Sequence, residues 1–255
     1  MGNKVQTGFP AFEVVGRNRP GPWLITCDHA SNVVPPTVCA GDLGISPIEM
    51  GRHIAYDIGA AGVTRSLSHL LNAPAILCSF SRLIIDPNRG EHDPTLLMQL
   101  SDGTVIEGNR GIDDTERHRR LNLFYRPYHA EISALAEAAS DPFVYLAVHS
   151  FAPSLNSRPS RPLEIGVLFS NEDDSFALPL IERLEEEPDI RVGRNEPYSG
   201  ALDGDSVDRH ARRFGRPNAL IELRHDLIET DRAQCVWAAR LAPILRDALK
   251  RSGIR

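Results

Sequence analysis

Three short stretches of the chain carry residues that could act together. Asp28-His29 and His149-Ser150 each follow an apolar run, at 22–27 and 143–148. An imidazole binds a divalent metal or carries a proton near neutral pH. Two rings delivered from two strand ends can share one metal, and a catalytic zinc site takes a third protein ligand and keeps a position open. Asp57, in His53-Ile54-Ala55-Tyr56-Asp57, is one candidate for that third ligand and His53 is another. The plainer reading makes each His structural or superficial. The second stretch runs from Ser81-Arg82 through Asp86-Pro87-Asn88-Arg89-Gly90. Its guanidiniums offer paired donors suited to a carboxylate or a developing oxyanion. The alternative is a surface Arg paired with Asp86. In the third stretch, 220–226, Glu222 interrupts an apolar run. A carboxylate there is costly unless paired, hydrogen-bonded or protonated. Glu222 could be a general base toward a water at the metal, or a residue facing outward or paired with Arg.

Other chemistries lack their motifs. No GxSxG elbow, Walker loop or GxGxxG is present. Cys27, Cys39, Cys78 and Cys235 show no CxxC spacing and are expected to be reduced. Cys27 and Cys78 sit in apolar runs and read as core, although Cys27 lies two residues from His29 and is a conceivable thiol nucleophile. Arg117, Arg119 and Arg120 share a helix with Asp113, Asp114 and Glu116, which reads as a solvated face.

The elements that must position these groups follow from apolar runs and breakers. Strands are expected at 22–27, 75–79, 143–148, 164–170, 189–192 and 218–223. Ser46-Pro47-Ile48-Glu49 has the form of a capped helix start, and that helix is expected to run to about Leu71. Further helices are expected at 114–139 with a kink at Pro127, at 175–187, at 206–214 and at 231–250, the last interrupted by Pro243. Residues 86–112 read as one long loop. Alternating strands and helices imply an α/β fold: a three-layer αβα domain with a mainly parallel, mixed central sheet. Sites in such sheets lie beyond the carboxyl ends of the strands, where His29, His149 and Glu222 are expected.

Composition agrees with this picture. The chain has 255 residues, 42% hydrophobic and 24% charged, with a net charge of −6. The acidic balance argues against non-specific nucleic-acid binding. No apolar run approaches the ~20 residues of a membrane span. The start, MGNKVQTGFP, lacks a secretory core, so a cytoplasmic location is expected. Of 28 basic residues only Lys4 and Lys250 are lysines. This bias is mainly compositional, and Arg82 and Arg89 are the two set apart from it. No repeat or linker appears, and residues 1–255 read as a single domain.

Taken together, the motifs resemble the N-formylglutamate amidohydrolase family. The matching pieces are Cys27-Asp28-His29-Ala30-Ser31-Asn32, His53-Ile54-Ala55-Tyr56-Asp57, Ser81-Arg82 through Asn88-Arg89, Arg126-Pro127-Tyr128-His129, His149-Ser150, Asn195 to Gly200, and Phe214 to Glu222. The resemblance implies a zinc-exopeptidase-like, phosphorylase/hydrolase-like fold. It implies His29, Asp57 and His149 as metal ligands and Glu222 as the base. Arg82 would polarise the scissile carbonyl. Asn88 and Arg89 would hold the substrate carboxylate, with Asn195 and Tyr198 lining the pocket. It departs from the family's pattern at Ala147, where an Asp is usual, at His29-Ala30-Ser31, at Pro87 and at Ser199-Gly200-Ala201, as a divergent branch would. The implied activity is zinc-dependent cleavage of an N-acyl amino acid, N-formyl-L-glutamate first among them, as in amino-acid catabolism. Another divalent metal could serve. Alternatives are a deacylase or carboxypeptidase-like enzyme with another acyl or peptide substrate, and a non-catalytic homologue that binds an acidic amino acid. The expected partner is a small molecule, with no nucleic acid and no membrane.

Overall fold

The computed structural model describes residues 8–254 except 141, 156–158, 171 and 201. Two strands made wholly of buried residues lie at its centre: β2 (Trp23–Cys27) and β6 (Val144–Phe151). Burial on both faces is the condition of a parallel strand covered by helices on each side. They pair in parallel, with β3 (Ala75–Cys78) on one flank and β9 (Asn218–Arg224) on the other. The seven-strand sheet is completed by β1 (Phe12–Val15), β7 (Ile165–Leu168) and β8 (Val192–Arg194), in the order β1-β3-β2-β6-β9-β7-β8. β1 runs antiparallel to β3 and β7 antiparallel to β9, so the sheet is mixed, as expected. β4 (Leu100–Ser101) and β5 (Thr104–Val105) form a separate two-strand hairpin.

Side chains alternate across the sheet with period two. Trp23, Ile25, Cys27, Val144, Leu146 and Val148 enter the core beneath α2 (Ala60–Leu70), α5 (Ala177–Glu185) and α7 (Asp231–Ser252). Leu24, Tyr145 and Ala147 enter a second core on the other face. That core is covered by a five-residue π turn (Leu121–Tyr125) and α4 (Arg126–Ala138), which continue from α3 (Asp114–Arg120). α6 (Ser206–His210) lies on the same side. Cys27 and Cys78 are fully buried, and burial pushes both thiols up; this suits core packing and removes the thiolate a nucleophile needs.

Several expectations need correction. The helix starting at Ser46 is only one turn, α1 (Pro47–Met50), capped by Ser46 as expected. The chain then turns until α2 begins at Ala60. Gly59 breaks the run: its φ is +79°, and a Cβ there would sit 2.1 Å from the Ile228 carbonyl oxygen. Pro243 does not interrupt α7, which is continuous from its Thr230 cap to Gly253. The loop at 86–112 contains the β4-β5 hairpin. β1 carried no expectation; its half-buried pattern lacks a continuous apolar run. Arg120 is not on a solvated face. It is 1% exposed and donates to the Ile84 and Gly108 carbonyls, Asn109 and Glu116.

Candidate metal centre and active site

The broken segment between α1 and α2 is what brings Asp57 to the sheet. The Asp57 N–H donates to the His29 carbonyl at 2.9 Å. Ser150 Oγ donates to the Ile58 carbonyl at 2.8 Å, and Ser150 N–H to Asp57 Oδ2 at 3.2 Å. A continuous helix here could not tie the chain to the ends of both β2 and β6. His29 follows β2, His149 lies near the end of β6, and Glu222 faces His149 directly across the β6–β9 register. All three stand at the carboxyl ends of parallel strands. His29, Asp57, His149 and Glu222 are buried, at 2%, 4%, 2% and 7% exposure.

His29, Asp57 and His149 offer three ligand atoms within 4.8 Å of one another. The rings meet edge to face, their centroids 4.9 Å apart. Each has a carboxylate behind it. His29 Nε2 lies 2.7 Å from Asp86 Oδ1, and His149 Nε2 lies 3.3 Å from Asp28 Oδ2. Both Nδ1 atoms therefore turn toward Asp57, at 3.4 Å for His29 and 2.8 Å for His149. A carboxylate on the far nitrogen fixes ring orientation and raises basicity at the near one, as in many histidine-metal sites.

These residues fit a divalent metal. Among the described residues His29 Nδ1 is buried without a hydrogen-bond partner, although an imidazole nitrogen held out of water needs one. Burial disfavours charge on Asp57, but His29 and His149 outweigh it and hold the carboxyl far below its usual range. Burial likewise opposes charge on His149, yet hydrogen bonds to Asp28 and Asp57 raise its pKa well above the ordinary value. A site that draws a cation between carboxylates to this degree also suits a divalent ion at the same atoms.

Asp28 and Asp86 are the residues that the sequence reading underrated. Asp28 accepts from Tyr128 Oη at 2.6 Å and from Ser206 Oγ at 3.0 Å, besides His149. Asp86 binds Arg82 through Nε at 3.0 Å and Nη2 at 2.6 Å and also accepts the Asn88 N–H at 2.8 Å. The Arg82–Asp86 pair, weighed from sequence as a surface pair, stands at the site, with Asp86 fully buried and Arg82 half-buried. The signal was available: each Asp lies in a motif beside a candidate ligand. Ala147 packs in the second core, and the carboxylate reaching His149 comes from Asp28 at the end of β2.

Glu222 differs from these pairs. Its Oε2 is buried with no hydrogen-bond partner among the described residues. Burial pushes the carboxyl up to about 7, against the pull of His149, His29 and Arg82. A cavity of about 410 Å³ opens over this group, with His29, Asp57, Arg82, Asn88, Arg89, His149, Tyr198 and Glu222 among its lining residues. His53 also lines it but stands outside the cluster, its Nε2 3.7 Å from Asp102; the geometry favours Asp57 of the two candidates. Asn195 is not among the described residues of the wall. Its Oδ1 accepts the N–H groups of Phe169 and Gly200, at 2.9 and 3.2 Å, behind the segment bearing Tyr198.

Arg82 keeps Nη1 toward the cavity, 3.8 Å from Asp57 Oδ1. Asn88 Oδ1 accepts the Ser206 N–H at 3.2 Å. Arg89 is braced by Thr95 Oγ1 at 3.1 Å and the Asn88 carbonyl at 2.8 Å.

Comparison with known proteins bears on the fold and the family. Among solved structures, gene product Atu2144 from Agrobacterium tumefaciens is 33% identical, with a TM-score of 0.88 over 95% of this chain and 96% of that one. An N-formylglutamate amidohydrolase from Ralstonia eutropha JMP134 is 20% identical, with a TM-score of 0.61 over 93% and 99%. A bacteriophage poly-gamma-glutamate hydrolase shares the fold at 10% identity and a TM-score of 0.51, over 96% and 91%. Comparison with curated proteins gives no match. The family model for N-formylglutamate amidohydrolase matches residues 21–229, from just before β2 to just beyond β9. The chain belongs to the N-formylglutamate amidohydrolase family.

Proposed function

We propose that this protein is a metal-dependent amidohydrolase that cleaves the amide bond of an N-acyl amino acid. Family membership supports an amide-bond hydrolase, and N-formyl-L-glutamate is the reference substrate that the family description supplies. The observation that carries the reading is the pairing of two unlike groups. Three convergent ligands stand at His29, Asp57 and His149, and beside them stands the buried carboxyl of Glu222, whose Oε2 has no hydrogen-bond partner among the described residues.

A divalent metal at these ligands, zinc first among the candidates, supplies Lewis acidity toward a water and toward the acyl carbonyl. Glu222 then works as the proton carrier. With a pKa near 7, it can accept a proton from the attacking water and return it to the departing amine nitrogen. Arg82, fixed in orientation by Asp86, points Nη1 where an oxyanion would develop; such preorganised donors are worth most in a water-poor site. Asn88 and Arg89 hold the carboxylate of the amino acid. His29 and His149 are kept in orientation by Asp86 and Asp28.

Glu222→Gln keeps the shape of the side chain and removes the base. Turnover of N-formyl amino acids by this variant should fall by about 10²–10⁴, with zinc content and circular dichroism unchanged. Near-normal turnover would reject Glu222 as the base. The binding-protein alternative predicts ligand binding by wild type with no turnover at all.

A further inference from the structure

Among the described residues, three carboxyls line the cavity over the histidines: Asp57, Glu222 and Asp205. The first two are the ligand and the base of the proposed reaction, and Asp205 is neither. It stands just before α6, 5% exposed, and its Oδ1 caps that helix by accepting the Asp208 N–H at 2.7 Å. Its neighbours hold it in place. Ser206 donates its N–H to Asn88 Oδ1 at 3.2 Å and its Oγ hydrogen to Asp28 Oδ1 at 3.0 Å. Gly204 passes Gly90 so closely that a Cβ on Gly204 would lie 3.0 Å from Gly90 Cα. Asp205 is therefore fixed beside the Asn88-Arg89 segment.

A carboxylate beside groups that receive an anion needs a reason. It repels the substrate carboxylate, and it is costly to bury without donors. The Asp208 N–H serves Oδ1, while Oδ2 has no hydrogen-bond partner among the described residues. Burial accordingly pushes the carboxyl up to about 7. An oxygen so placed is satisfied by a donor on the ligand. N-formyl-L-glutamate has one donor: its carboxylates and its formyl oxygen only accept, and its single N–H belongs to the scissile amide. That nitrogen is bonded to the carbon that bears the α-carboxylate. A carboxyl beside Asn88 and Arg89 is thus within one carbon's reach of it.

We propose that Asp205 Oδ2 accepts the N–H of the scissile amide and positions the leaving nitrogen, while Asn88 and Arg89 hold the neighbouring carboxylate. The N–H hydrogen stays on the nitrogen throughout. Glu222 delivers the second hydrogen as the C–N bond breaks and the amine departs. The nitrogen gains positive character at that moment, so the contact with a carboxylate strengthens and contributes to kcat as well as to KM. The proposal rests on the amidohydrolase reading and adds a residue to it.

The test pairs Asp205→Asn with a substrate that lacks the hydrogen. Asn keeps the helix cap through its side-chain oxygen and sets an NH2 group against the substrate N–H. With zinc-loaded protein at pH 8, where Asp205 is charged, kcat/KM for N-formyl-L-glutamate should fall about 10–100-fold in Asp205→Asn. For the formate ester of the corresponding hydroxy acid, with oxygen in place of N–H, it should be unchanged or rise, because the interaction removed is absent there. Asp205→Ser, which also caps the helix, should lose amide turnover and keep ester turnover in the same way. Zinc content and melting temperature should match wild type. Equal losses on amide and ester would make Asp205 merely structural and overturn the proposal. So would unchanged amide turnover, the result expected if a protonated Asp205 donates to a substrate carboxylate. Turnover of neither compound by wild type would reject the hydrolase reading instead. The same comparison is then read in calorimetric affinities, where an amide-specific loss supports the proposal and its absence, or no binding at all, overturns it.

Discussion

Two pairs of buried histidines are held in opposite ways. His29 and His149 each have a carboxylate behind the ring and a third, Asp57, in front. His129 and His210 instead bond to one another, Nδ1 to Nε2 at 2.8 Å, with the rings stacked 5.1 Å apart. His129 Nε2 lies 3.0 Å from the Pro87 carbonyl. A carbonyl only accepts, so His129 Nε2 carries the proton, and His210 Nε2–H donates to His129 Nδ1. Among the described residues neither ring makes an ion pair. Burial pushes His210 down to about 4 and His129 well below its usual value. The first pair is built to face carboxylates on both sides. The second is built to stay neutral and to hold the Pro87 backbone, from which Asn88 and Arg89 project.

The largest difference should appear when one ring of each pair is removed. His149→Ala should cost turnover about 10³-fold or more, because a ligand and its charge balance are lost together. His129→Gln, which can still donate to Pro87, should keep most of kcat and act chiefly through KM, since it supports the segment proposed to hold the substrate carboxylate. Equal losses of kcat in the two variants would erase the distinction between the pairs.

The carboxylates behind the first pair give the next effect. Asp86→Asn or Asp28→Asn should lower zinc affinity about 10–100-fold, as measured by competition with a chelator. Unchanged affinity in both would mean that the rings need no such support.

The neutral pair should show in the pH dependence of stability. In the unfolded chain a histidine protonates near 6.5, whereas folded His210 resists protonation down to about 4. Below pH 6.5 the unfolded state therefore gains protons that the folded state does not. Stability present above pH 6.5 should decline as pH falls toward 4, by up to about 3 kcal/mol from His210. Urea midpoints of metal-free His210→Gln should fall less over this interval than those of wild type. Parallel pH profiles would contradict the assignment.

The smallest effect is expected at Tyr128→Phe, which removes one of the hydrogen bonds to Asp28. A buried bond to a carboxylate contributes about 1.5–3 kcal/mol, and Asp28 keeps Ser206 and His149 as partners. Stability should drop within that range and zinc affinity by only a few fold.

What could be read from sequence follows from how local the cause is. β2, β6 and β9 are built on apolar runs, and the ends of those runs already place His29, His149 and Glu222 at one edge of a parallel sheet. Asp57 was one of two candidates, because the choice over His53 depends on the turn at Gly59, and that turn depends on Ile228 far along the chain. The two histidine pairs look alike as letters. What separates them is the carboxylate opposite each ring, and Asp28 reaches His149 across 121 positions of sequence. Arg120 was misplaced for the same reason: its partners at Ile84, Gly108 and Asn109 are carbonyl and amide groups that no charge pattern displays.

The central claim is that His29, Asp57 and His149 hold one divalent metal. It is tested most directly by metal content after zinc reconstitution and gel filtration, in wild type, in Asp57→Asn and in His129→Gln. The account predicts one zinc per chain in wild type and in His129→Gln, and little or none in Asp57→Asn with its fold retained. Wild type without bound metal, or zinc retained in full by Asp57→Asn, would contradict it.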